Sequence, residues 1–281
     1  MKIGKYDVRF LPTASFGLDG GAMFGIIPKV LWQKTNPPDD ANRITLGTRC
    51  ILLQSDSKNI LVDTGIGDFW DEKFNKIYRI DKSESYLEKS LKDLNLSPGD
   101  ITDVILTHLH FDHTGGSTVL DNEKMIPAFP NANYYVQKKH FEWAMNPSDR
   151  DKGSFIQNRF VPLHENGVLN FIEGDSRFDD EIELLVINGH TFAQQMIKLS
   201  GGNETLLFCG DLIPTASHVP VPYVMGYDIQ PLVTVEEKKK YLSLAVEEEW
   251  KLVFEHDPFV TAATVTKTAK GFAVKEKFGK L

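Results

Sequence analysis

The sequence predicts an α/β fold, and three observations carry that prediction. Short apolar runs alternate with helical patterns along the chain; 41% of its 281 residues are hydrophobic against 25% charged; and no short repeat or low-complexity tract interrupts the alternation. A chain of this length and composition buries a large core, and we read residues 1–281 as one domain with two related halves, about 1–165 and 166–281.

The elements follow in order. MKIGKYDVRFLPTASFG alternates apolar and polar residues, which predicts a strand, and it lacks the continuous apolar run of a signal peptide. RCILLQSDSKNILVDTGIGD (49–68) predicts two strands around a polar turn at Ser55–Asn59, the second ending in Asp63, Thr64 and Gly65. A helix is expected at about Glu84–Leu94, where Leu87, Leu91 and Leu94 recur at helical spacing and Pro98 with Gly99 stops it. ITDVILT (101–107) reads as a short buried strand running straight into THLHFDHTGG (107–116). ANYYVQ (132–137) predicts a strand leading into a helix at about Lys138–Met145, and 146–167, rich in Pro, Asp, Asn and Gly, a long surface excursion. IELLVING (182–189), QQMIKLS (194–200) and TLLFCGD (205–211) predict three successive strands. A helix at about Val235–Glu249 then precedes a last strand, KLVFEHD (251–257). The basic tail from Lys267 to Lys280 is interleaved with apolar residues and is expected to be a solvated element.

Charge and cysteine usage narrow the function classes. A formal net charge of -8 argues against nucleic acid as a partner, because backbone binding needs clustered positive charge. Cys50 and Cys209 are too few for a disulfide framework and have no CxxC spacing, which suits a reducing compartment. No window approaches the roughly 18 apolar residues of a membrane span. The expectation is a cytoplasmic protein with neither membrane nor nucleic acid among its partners.

Four strands end at a potential metal ligand: His108, His190, Asp211 and His256. Loops at one sheet edge converge, so four such ends can share one pocket. In an extended stretch residues 108, 110 and 112 project to one side, and His113 reaches the same centre if a helix starts there, with Gly115 and Gly116 bending the backbone beneath. Imidazole and carboxylate without thiolate suit borderline divalent ions, with Zn2+ first and Fe, Mn or Co as alternatives. One ion takes three or four protein ligands; His108, His110, Asp112, His113, His190, Asp211 and His256 make seven, which points to two ions. His140, His164 and His218 fall outside this pattern and read as ordinary core or surface residues, as Cys209 reads as a small buried hydrophobe.

The HxHxDH run, followed by a distant His, an Asp in "GD" and a last His, resembles the metallo-β-lactamase superfamily, from LVDTG (61–65) through THLHFDHTGG, GHTFAQQ and FCGD to FEHD. The resemblance implies an αββα sandwich with the metals at one edge of the two sheets. It further implies that His108, His110 and His190 bind one ion, that Asp112, His113 and His256 bind the other, and that Asp211 bridges them. Asp63 matches a position that buttresses a ligand histidine. Two cations sharing a water lower its pKa and supply hydroxide to attack a carbonyl or phosphoryl centre, with Asp112 and Asp211 steering it or moving its proton.

Within the superfamily, LDGGAMFGIIPKVLWQK (18–34) and GDLIPTASHVPVPYVMGYD (210–228) are similar to bacterial quorum-quenching acyl-homoserine lactonases and methyl-parathion hydrolases. The expected reaction is hydrolysis of a small ester or lactone, with phosphotriester or thioester hydrolysis and iron-based redox chemistry as alternatives. A tyrosine found three residues after the bridging aspartate in one lactonase branch is replaced here by Pro214, and Tyr223 or Tyr227 is a candidate substitute. Phe24, Met23, Ile26 and Trp32 are candidates to wall an acyl pocket; core packing is the competing role for each. Relatives in this branch imply a possible homodimer.

Overall fold

Strand residues alternate between two faces, and here that alternation builds two sheets with a core between them. The computed structural model describes residues 1–83 and 86–279. Strands β1 (Lys2–Ile3), β2 (Tyr6–Asp19), β3 (Arg43–Gln54), β4 (Asn59–Val62) and β5 (Asp103–Ile105) pair in that order. A small hairpin, β6 (Thr118–Asp121) and β7 (Lys124–Pro127), stands apart, and β8 (Asn133–Gln137) and β9 (Leu169–Ile172) complete the first sheet. The second sheet runs in chain order: β10 (Ser176–Arg177), β11 (Ile182–Ile187), β12 (Gln194–Gly201), β13 (Glu204–Phe208), β14 (Lys251–Val253), β15 (Ala262–Thr268) and β16 (Gly271–Phe278). Turn-joined strands are antiparallel, whereas β4 with β5, β5 with β8, β8 with β9, and β13 with β14 are parallel because longer crossovers separate them.

The helices are α1 (Gly20–Phe24), α2 (Lys29–Trp32), α3 (Glu72–Tyr78), α4 (Leu87–Lys92), α5 (Phe111–Thr114), α6 (Lys138–Met145), α7 (Val161–Glu165) and α8 (Pro231–Glu247). Ile51 and Leu53 of β3 turn inward with Val62 and Ile105 to meet Ile197, Leu206 and Phe208 of the second sheet. Cys50 and Leu52 turn outward beneath Leu91 of α4 and Phe141 of α6, while Leu207 and Leu252 turn outward beneath Tyr241 and Leu242 of α8. The layers are therefore helix, sheet, sheet, helix, the expected αββα sandwich.

Three elements differ from expectation. The helix expected at Glu84–Leu94 spans Leu87–Lys92, and its expected start at Glu84 lies outside the described residues. The helix expected at Val235 begins at Pro231, whose fixed φ suits a first helical turn. The 146–167 stretch runs over the surface as expected, but it also forms α7 and buries Phe155, Phe160 and Leu163 in the outer core as apolar anchors. The basic tail forms the β15–β16 hairpin, with Phe272 and Val274 packed on the core; Lys280 lies outside the described residues. Among the described residues, no helix is long and apolar enough to cross a membrane.

Candidate metal centre

Three of the four ligand loops are tied down by side chains distant in sequence. After β4, Asp63 adopts a left-handed conformation (φ 55°), and its carboxylate accepts hydrogen bonds from the Thr107 amide (2.7 Å) and hydroxyl (2.6 Å). The turn after β4 thereby fixes the loop after β5. That loop is extended through His110 and turns helical at Phe111, so Asp112 and His113 swing toward the centre that His108 and His110 face. Beneath it, a Cβ on Gly67 (φ 67°) would sit 2.1 Å from the Gly115 carbonyl oxygen, an approach that only glycine permits. The buried Arg159 guanidinium lies 4.0 Å from the Trp70 ring centroid and donates to the Gly115 and Asp68 carbonyls. His190 follows β11, where Glu237 accepts the Asn188 and Gly189 amides at 2.7 and 3.0 Å. His256 follows β14, where the buried Arg49 donates to the Phe254 and Asp257 carbonyls.

These ties bring the seven predicted ligands together. His108, His110, His190 and Asp211 form one group of mutually close donor atoms, and Asp112, His113 and His256 another. His110 Nδ1 lies 3.1 Å from both His108 Nε2 and His190 Nε2. His256 Nε2 lies 3.2 Å from His113 Nε2 and 3.6 Å from Asp112 Oδ2. Asp211 reaches both groups: Oδ2 is 3.1 Å from His190 Nε2, and Oδ1 is 3.0 Å from His256 Nε2. All seven are buried.

The outer nitrogens explain why the inner ones face each other. His190 Nδ1 pairs with Asp228 Oδ1 (2.9 Å), His256 Nδ1 with the Gly47 carbonyl (2.9 Å), and His113 Nδ1 with Asp63 Oδ2 (3.1 Å). Each acceptor holds a proton on Nδ1, which leaves a lone pair on Nε2 aimed at the centre. Lone pairs of imidazoles and carboxylates packed at about 3 Å repel unless a cation or protons lie among them. The donor set therefore fits divalent metal.

Where protons take the cation's place, charge decides their position. Burial works against protonation of His256, yet Asp211, Glu255 and Asp112 lift its pKa to about 9. Burial likewise opposes ionisation of Asp211, but His256, His190 and His113 hold it well below the usual carboxylate range. The raised His256 value adds stability that is complete below 6.5 and lost as pH climbs to about 9. The lowered Asp211 value adds stability above 3.8 that is lost as pH falls below it. Thermal melts of metal-stripped protein should therefore decline as pH climbs from about 6.5 toward 9; a melting temperature still rising across pH 7 to 9 would contradict this account.

A cavity of about 220 Å³ opens over the ligands His110, Asp112, His190, Asp211 and His256. Leu18, Met23, Tyr78, Phe111, Met225 and Tyr227 make its less polar side. Of the predicted wall residues, Met23 and Tyr227 line it. Phe24 and Trp32 are packed in a neighbouring core: Phe24 stacks on Trp32 and His218, at 5.4 and 4.5 Å between ring centroids, and Tyr223 meets Phe24 edge-on. Ile26 is 89% exposed. Pocket walls are set by tertiary packing, and the apolar pattern of 18–34 does not distinguish them from core. His140 and His218 are buried and bonded, His140 accepting the Leu109 amide at 2.8 Å, and Cys209 is buried in the outer core.

Sequence reasoning missed Asp228, Glu255, Glu237, Arg49, Arg159 and Lys238. Glu255 adjoins His256 and lies 3.0 Å from His113 Nδ1, and burial, with Asp63 nearby, raises its pKa to about 8. Lys238 of α8 is fully buried and donates to the carbonyls of His218 (2.6 Å), Pro220 (2.9 Å), Val221 (3.3 Å) and Tyr223 (2.7 Å), which gathers the loop leading to Met225 and Tyr227.

The model of the metallo-beta-lactamase superfamily matches residues 43–256, from β3 to the last of the seven clustered residues. The chain belongs to the metallo-beta-lactamase superfamily. It is 27% identical over 184 residues to the N-acyl homoserine lactonase AttM of Rhizobium radiobacter, covering 64% of this chain and 66%, just under two thirds, of that one. Against the N-acyl homoserine lactonase AiiA of Bacillus thuringiensis subsp. kurstaki it is 25% identical over 226 residues, 76% of this chain and 82% of that one. A probable metal-dependent hydrolase from Staphylococcus aureus superposes with a TM-score of 0.90 at 29% identity, covering 99% and 98% of the two chains. AidC, a dizinc quorum-quenching lactonase solved with a product, shares the superfamily fold with a TM-score of 0.81 at 24% identity over 99% and 97%.

Proposed function

We propose that this superfamily member is a dinuclear metal hydrolase that opens a small ester or lactone, an N-acyl homoserine lactone being the substrate class its relatives favour. The observation that carries the reading is Asp211, whose two oxygens each face a separate group of buried ligands beneath the cavity. His108, His110 and His190 would hold one ion and Asp112, His113 and His256 the other, with Zn2+ the first choice for donors of this kind. Two divalent ions held there lower the pKa of a water and polarise the carbonyl under attack. Asp112, which lines the cavity, takes the proton released from the attacking water and passes it to the leaving alkoxide as the ring opens. Tyr78 and Tyr227 both line the cavity as phenols protonated at neutral pH, and Tyr227, from the loop that follows Asp211, is the candidate donor in place of a tyrosine at Pro214. Asp63 and Asp228 orient His113 and His190.

We further read the chain as one cytoplasmic domain, since both cysteines are buried and unpaired. Exposed Ile26 and Val30, just beyond Met23, favour pairing of two copies. Zinc-loaded protein assayed on N-acyl homoserine lactones, aliphatic lactones, acyl thioesters and paraoxon-type triesters should give its highest kcat/KM on a lactone. Turnover confined to thioesters or triesters, or absent from all lactones, would overturn the assignment.

A further inference from the structure

Arg150 is the one arginine or lysine among the described residues that line the cavity. Its Nη2 donates to the Gly226 carbonyl and, at 3.4 Å, to the Asp228 carbonyl, so the guanidinium bridges the 146–167 stretch to the loop carrying Met225 and Tyr227. These are its hydrogen bonds among the described residues; Nε and Nη1 keep their N–H groups uncommitted. Among the described residues no carboxylate pairs with it, and the neighbouring Asp151 instead accepts from Trp143 Nε1 (2.7 Å) and Ser148 Oγ (2.7 Å). A guanidinium held at one edge by backbone carbonyls is preorganised to offer its other edge to an oxygen acceptor.

We infer that Arg150 determines specificity by taking a second carbonyl oxygen of the substrate, and so selects N-acyl lactones over plain lactones. The inference rests on the lactone-opening reading above. The reacting carbonyl lies at the metal ligands, and an acyl chain runs along the apolar side formed by Leu18, Met23 and Met225. Between the two, an N-acyl lactone carries an amide oxygen a few bonds from its ring, whereas an aliphatic lactone has only hydrocarbon there.

The test compares zinc-loaded wild type with Arg150→Met and Arg150→Lys, each checked for unchanged metal content and melting temperature. Calorimetry measures binding of two ring-opened acids, N-hexanoyl-homoserine and 4-hydroxydecanoate, and assays measure KM for the parent lactones. Loss of a charge-assisted hydrogen bond should weaken Arg150→Met binding of the N-acyl acid about tenfold more than that of the plain acid. The KM ratio should move the same way, and lysine should restore part of it. Equal weakening of both acids would reduce Arg150 to a tie between loops, and unchanged binding would remove it altogether. Wild type that binds both acids but opens neither lactone would sink the lactonase reading while the binding comparison still decides Arg150. Wild type that binds neither acid would overturn both.

Discussion

Asp211→Ala should strip most of the bound metal and lower kcat/KM by about a thousandfold or more, while the fold remains. Its two carboxylate oxygens each face a different group of ligands, so its loss unbalances both at once. His113→Ala belongs to one group only and should lower the metal content from two ions per chain towards one. Elemental analysis beside circular dichroism reads both variants. Full metal content and rate in folded Asp211→Ala would refute the two-metal assignment, and an unchanged stoichiometry in His113→Ala would refute the division of ligands.

Lys238→Met should cost about 3 kcal/mol and lower the melting temperature by roughly 5 to 10 °C, although it lies outside the ligand set. Methionine keeps most of the stem, but four carbonyls, all within the six residues 218–223, lose their shared donor. Because that segment leads to Met225 and Tyr227, KM should rise as well. Differential scanning calorimetry with steady-state assays measures both effects, and a melting temperature within a degree of wild type would show that the ammonium organises little.

The sandwich and the seven clustered residues were legible because each leaves a periodic or local mark: alternation along β2, short apolar runs in later strands, and ligands at strand ends in a fixed order. The pocket left no such mark. Phe24 and Met23 are neighbours in the same apolar segment, yet one stacks in the core and the other lines the cavity, a difference set by Trp32 and His218 from other elements. The supporting charges were silent for a related reason. Asp228 meets His190 across 38 positions and Arg49 meets Phe254 across 205, so sequence spacing carries nothing about either pair. Residues 146–167 were legible as a surface stretch, but their polar composition hides Phe155, Phe160 and Leu163, which anchor it.

Arg49, Lys238 and Glu237 hold their loops through peptide groups, and Arg159 does so too while also stacking on the Trp70 ring. The ligand cage is thus indifferent to which side chains those loops present elsewhere. Met225, Tyr227 and Ser154 line the cavity outside the seven clustered residues, so exchanging them should alter the choice of substrate while metal content is retained. A library confined to those three positions should yield new specificities with metal content intact.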